Sequence, residues 1–94
     1  MKVRFLHQAR ADLLATIEHI ARRNPVAAAK LADQVLRIIE QLAAGDFEGP
    51  EQRLSSGKVV RSWPVSPLRV YYQRRGDTLV VLRVYHHARR PLTK

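Results

Sequence analysis

A chain of 94 residues, 46% of them apolar, holds enough for one folded domain with a modest core and too much for a disordered segment. Its 17 lysines and arginines outnumber 8 aspartates and glutamates, for a formal charge of +9, and thirteen of the cations are arginine; the expected partner is therefore anionic, because the arginine fork matches phosphate and carboxylate. The absence of cysteine excludes disulfides, thiolate catalysis and cysteine-based zinc sites, and with neither a signal-peptide core nor the ~20 apolar residues of a membrane span, a cytoplasmic protein with no membrane attachment is expected.

Residues 1–94 read as a single domain without repeats. Lys2 to Leu6, with Val3 and Phe5 alternating against Lys2 and Arg4, reads as a short strand. His7 to Arg23 follows as a helix whose apolar stripe is Leu13, Leu14, Ile17, Ile20 and Ala21. Asn24 is a good N-cap and Pro25 suits the first helical position, so a second helix starts there and runs to Ala44. Its stripe is Ala28, Leu31, Val35, Ile38, Ile39 and Leu42, and Gly45 supplies the stop. So tight a connection makes an antiparallel helical hairpin.

Asp46 to Gly57 reads as a loop, Lys58 to Trp63 as a strand closed by Pro64, and Ser66-Pro67 as a turn. Leu68 to Arg74 and Thr78 to His86 are Val- and Tyr-rich strands joined at Gly76-Asp77. The fold class is α+β, ordered β-α-α-β-β-β: a helical hairpin packed on one face of a small, mainly antiparallel sheet. The other sheet face must meet water or a partner.

A two-residue turn at Gly76-Asp77 sets Arg69 opposite Val84. Arg69, Tyr71 and Gln73 then share a face with Val80, Leu82, Val84 and His86, and Leu68, Val70 and Tyr72 share the other with Leu79, Val81, Arg83 and Tyr85. Both sets are partly apolar, so alternation alone does not name the core face, and one bulged residue would exchange them. Either way, Arg61, Arg69, Arg83, His86, His87, Arg89 and Arg90 gather in the C-terminal strands or just past them.

On these residues the chain resembles the RelE/ParE superfamily of bacterial toxins, and ParE-like members most. ARADLLATIEHIARRNPVAAAKLADQVLRIIEQLA matches the family's hairpin, with the ARNPxAA turn at Ala21 to Ala28. Val65 to Tyr72 matches its V-x-P-aromatic-R-V-x-Y strand, with Leu68 in the aromatic place, and Val81 to Arg89 matches V-L-R-V-x-H-x-x-R. The resemblance implies the toxin half of a type II toxin–antitoxin module, of the kind that stabilises plasmids, neutralised by a cognate antitoxin with an acidic and apolar C-terminal segment. ParE-like members inhibit DNA gyrase, which is the activity expected here. RelE-like members cut mRNA on the ribosome, which is the alternative.

Metal-free RNA cleavage needs a base, an acid and cations for the phosphorane. In that alternative Arg69, His86, His87 and Arg89 are the candidate catalysts, with Arg90 a possible second clamp. Against it, RelE-like sequences carry a functional Tyr or His in a C-terminal tail, whereas this one closes on Pro91-Leu92-Thr93-Lys94, and its loop before the second strand holds one lysine, Lys58. A binding surface is the favoured reading: Arg61, Arg69, Arg83, His86, Arg89 and Arg90 toward target or antitoxin, with Leu36 on the hairpin a candidate for the antitoxin groove. Trp63 and Tyr71 read as packing before they read as base-stacking platforms. Adjacent strand residues His86 and His87 point to opposite faces, and His7 and His19 lie apart, so no metal is expected. No glycine-rich phosphate loop or Ser-His-Asp set occurs, and no cofactor is expected.

Overall fold

A computed structural model of the chain describes residues 2–86. Strand β1 (Lys2–Phe5) leads into helices α1 (His7–Ala21) and α2 (Pro25–Ala44), and strands β2 (Glu51–Arg53), β3 (Val59–Val65), β4 (Leu68–Arg75) and β5 (Thr78–His86) follow. The sheet order is β1-β5-β4-β3-β2. All neighbours are antiparallel except β1, which lies parallel to β5 with Phe5 against Val81. The α+β class and the hairpin-on-sheet architecture are those the sequence predicts, with one added strand.

The second helix begins and ends on local chemistry. The Asn24 side chain accepts from the Ala27 N–H at 3.0 Å, Pro25 opens the first turn, and Gly45 closes the helix in the left-handed region at φ 82°. Leu31, Val35, Ile39 and Leu42 then face Leu68, Val70, Tyr72, Leu79, Val81 and Val84 of the sheet, with Leu13, Ile17 and Ile20 of α1 packed against them. Leu14, counted in the α1 stripe, stands 52% exposed. The stripe includes its neighbour Leu13, and one step along a helix turns a side chain by about 100°, off the buried line.

Strand β2 falls inside the expected loop. Glu-Gln-Arg carries no apolar alternation, so nothing local announces it; it forms because β3 offers an edge, with Glu51 against Arg61 and Arg53 against Val59. Pro64 lies within β3 rather than closing it. Pairing with β2 stops at Arg61, so β3 is an edge at Pro64 and tolerates a residue without an N–H.

The decisive irregularity is in the β4–β5 pair. Tyr72 faces Val81, but Tyr71 faces Arg83, so Leu82 is an extra residue on β5. Beyond this bulge Arg69 lies opposite Tyr85 rather than Val84, and Leu68 opposite His86. Val84 thereby joins the helix-facing core, while Tyr85 packs with Val60, Tyr71, Val80 and Leu82 on the other side.

Candidate functional site

Strands β1, β3, β4 and β5 contain seven cations, Lys2, Arg4, Arg61, Arg69, Arg74, Arg75 and Arg83, and no aspartate or glutamate. Three of these arginines meet carboxylates brought in from outside those strands. Arg83 donates through Nε and a terminal nitrogen to both oxygens of Asp12 on α1, at 2.8 and 3.0 Å. The same carboxylate accepts the Val84 N–H at 3.0 Å, where β5 has run past the end of β1. These bonds hold Arg83 firmly in its charged form.

Arg74 and Arg61 converge on Glu48. Arg74 Nε lies 3.0 Å from Glu48 Oε2, and its guanidinium also donates to the Leu42 carbonyl in the last turn of α2. Arg61 donates to the Gly49 carbonyl at 2.7 Å, its Nε 3.8 Å from Glu48. The Tyr72 hydroxyl donates to Glu48 Oε1 at 2.7 Å and accepts the Gly49 N–H at 2.8 Å. The bond from Arg74, with that from Tyr72 in support, holds the Glu48 carboxyl below the usual carboxylate range against the opposing effect of partial burial. Phe47 adds a stacked contact on Trp63, with ring centroids 4.2 Å apart. The segment after α2 is thus fastened to the core side of β3 and β4.

The other four cations lie together. Residues in register share a face, so Lys2, Thr78 and Arg75 form one row and Arg4, Val80 and Gln73 the next, on the side away from the helices. Arg69 lies further along β4 on the same side. None of Lys2, Arg4, Arg69 and Arg75 makes an ion pair among the described residues. The two β4 arginines are held by neutral acceptors instead: Arg69 donates to Ser62 Oγ at 2.8 Å, and Arg75 donates to Gln73 Oε1 at 2.8 Å. Their geometry is steadied without cancelling their charge.

The bulge separates Arg69 from His86. Arg69 is on the helix-free face, whereas His86 lines a groove of roughly 590 Å³ against α1, with Asp12, Thr16 and His19. Arg61 sits at Glu48, and Arg83 at the β5 edge with Asp12. His87, Arg89 and Arg90 lie outside the described residues. Leu36 stands 48% exposed on α2. Trp63 is half-buried on Phe47, and Tyr71 is buried, edge-to-face with Tyr85 at 5.7 Å. Burial pushes both of these phenols up, so neither is a ready base near neutrality.

Asp12, Glu48, Ser62 and Tyr72 are the residues that pattern reading misses. Their partners lie from 7 to 72 residues away in the chain, and no local spacing marks them. Among the described residues no group of His, Asp and Glu side chains is placed to hold a metal ion, and no helix is long and apolar enough to cross a membrane.

The model of one protein family, described as the ParE toxin of type II toxin–antitoxin system, parDE, matches residues 3–91. A solved structure, the chromosomal ParDE TA system from P. aeruginosa, superposes with a TM-score of 0.74 at 21% identity, covering 92% of this chain and 95% of that one. That likeness is one of fold. No curated protein matches the chain.

Proposed function

The chain belongs to the ParE toxin family of type II toxin–antitoxin systems, and from that premise we propose that it arrests growth by inhibiting DNA gyrase and is held inactive by a cognate antitoxin. The observation that carries this reading over RNA cleavage is the make-up of the helix-free face. Its described strand residues offer uncompensated cations but no histidine and no carboxylate. Cleavage would need an acid and a base beside the phosphate-binding arginine. Instead His86 lies across the sheet from Arg69, and the phenols on the Arg69 side, Tyr71 buried and Tyr85 half-buried, are shifted up. This make-up of the described residues supports a binding surface over a cleaving one.

Arg69 is the proposed centre of the target contact. Arg61 and Arg83, each bound to a carboxylate, support the surface by fastening the segments beside it. Exposed Leu36 on α2 is proposed for the antitoxin, whose acidic and apolar segment would also be drawn to a +9 toxin. His86, Arg89 and Arg90 complete the proposed contact set.

The experiment is a supercoiling and DNA-cleavage assay with purified gyrase, titrating in toxin freed of its antitoxin. Loss of supercoiling or accumulation of cleaved DNA is the expected result. A folded toxin that arrests cells yet leaves gyrase untouched would overturn the reading and turn attention to translation.

A further inference from the structure

We propose that the helix-free face of the sheet is a docking surface for duplex DNA, read through its phosphates. The inference deepens the gyrase reading, on which it rests for its place in the cell, by naming the DNA that gyrase holds as a partner of this face.

The charge is sorted. Every sheet arginine bound to a carboxylate, Arg61, Arg74 and Arg83, is fastened to the segment after α2 or to α1. Lys2, Arg4, Arg69 and Arg75 make no ion pair among the described residues and share the helix-free face, where Arg83, in register with Tyr71, is the compensated exception; Arg53 on the short β2 makes no ion pair either, but lies on the helix side and donates to the Gly57 carbonyl. Two strand spacings put Lys2 about 10 Å from Arg75, and the rise along β4 puts Arg69 about 20 Å beyond it. The result is a cationic field with extent in two directions, with its arginines steadied by Ser62 and Gln73.

The same face lacks what other anionic partners need. A single strand binds by stacking its bases on aromatic rings. Tyr71 is 3% exposed, and the Tyr85 ring is covered by the Arg83 guanidinium 4.6 Å from its centroid. An acidic protein segment needs an apolar pocket for an anchoring side chain. The central apolar residues of this face, Val60, Val80 and Leu82, are 2, 3 and 8% exposed, with Leu6, Leu54 and Tyr85 packed against them, so its apolar surface is largely covered by its own side chains. A duplex presents a dense array of phosphates and needs neither feature.

The test measures binding of the full chain to a labelled DNA duplex by fluorescence anisotropy over a range of salt, without gyrase. Four phosphate contacts predict a slope of log affinity against log salt of about −3.6, since each contributes about 0.9 on duplex DNA. The Arg4→Gln, Arg75→Gln double variant should flatten that slope by about 1.8. An equally discharged control on exposed positions of the hairpin, Arg23→Gln in its turn with Arg37→Gln on α2, should leave it unchanged. Equal flattening by both pairs, by neither, or tighter binding of a single strand of the same length would each overturn the proposal, with circular dichroism establishing that every variant is folded. Gyrase inhibition without duplex binding would sink this inference alone; duplex binding without any effect on gyrase would sink the functional reading and leave the surface standing.

Discussion

Asp12 does two things with one carboxylate: it neutralises Arg83 and occupies the Val84 N–H at the open edge of β5. Replacing it with alanine leaves a partly buried guanidinium and a backbone donor without their acceptor. Such losses cost about 2 kcal/mol each at most, so Asp12→Ala should lower unfolding free energy by about 2–3 kcal/mol in urea titrations. A change within error would remove this clamp from the account of the fold. Arg69 is the opposite case. Among the described residues its side chain makes one hydrogen bond, donated to the Ser62 hydroxyl oxygen, a neutral acceptor whose loss of one donor costs about 1 kcal/mol. Arg69→Ala should therefore keep the wild-type melting temperature within a few degrees while weakening growth arrest. Full toxicity in that variant would exclude Arg69 from the target contact.

Among the elements, the segment between α2 and β2 is the most tightly determined. A Cβ on Gly49 would lie 1.9 Å from the Ser62 carbonyl oxygen, a backbone atom of β3 that cannot step aside cheaply. Gly49→Ala should cost about 1–3 kcal/mol, measured by thermal or denaturant unfolding. Glu48 makes the same segment sensitive to acid. Its carboxyl titrates lower in the fold than in the unfolded chain, so the unfolded state binds more protons in the window below the ordinary carboxylate value. Stability from this group is therefore complete above that value and is lost as pH falls through the lowered one. Glu48→Gln should flatten the acid side of the melting temperature against pH; an unchanged acid slope would place that sensitivity in other carboxylates. On α2, Leu36→Asp adds a charge to an exposed position and should weaken antitoxin neutralisation while toxicity persists, scored by co-expression.

At the scale of the whole molecule, β4 and β5 are interior to the sheet and carry much of the buried core, so amide exchange should be slowest at Val70, Tyr72, Leu79 and Val81. Early exchange there with protection held in the helices would contradict a single cooperative domain. The sequence by itself determined the hairpin, because Asn24, Pro25, Gly45 and the spacing from Leu31 to Leu42 act within a turn or two of helix. It also determined the Val- and Tyr-rich strands, the class of the fold and the cationic character of the chain, all of which follow from local pattern or total charge. Only the tertiary structure decided which sheet face is buried, since one extra residue at Leu82 exchanges the faces of Val84, Tyr85 and His86 and no dihedral preference in the sequence announces it. Strand β2 likewise exists only because β3 accepts it. The pairing of arginines is tertiary for the same reason: a cation's effective charge depends on whether a distant carboxylate reaches it, and Asp12 and Glu48 reach Arg83, Arg74 and Arg61 but none of Lys2, Arg4, Arg69 and Arg75.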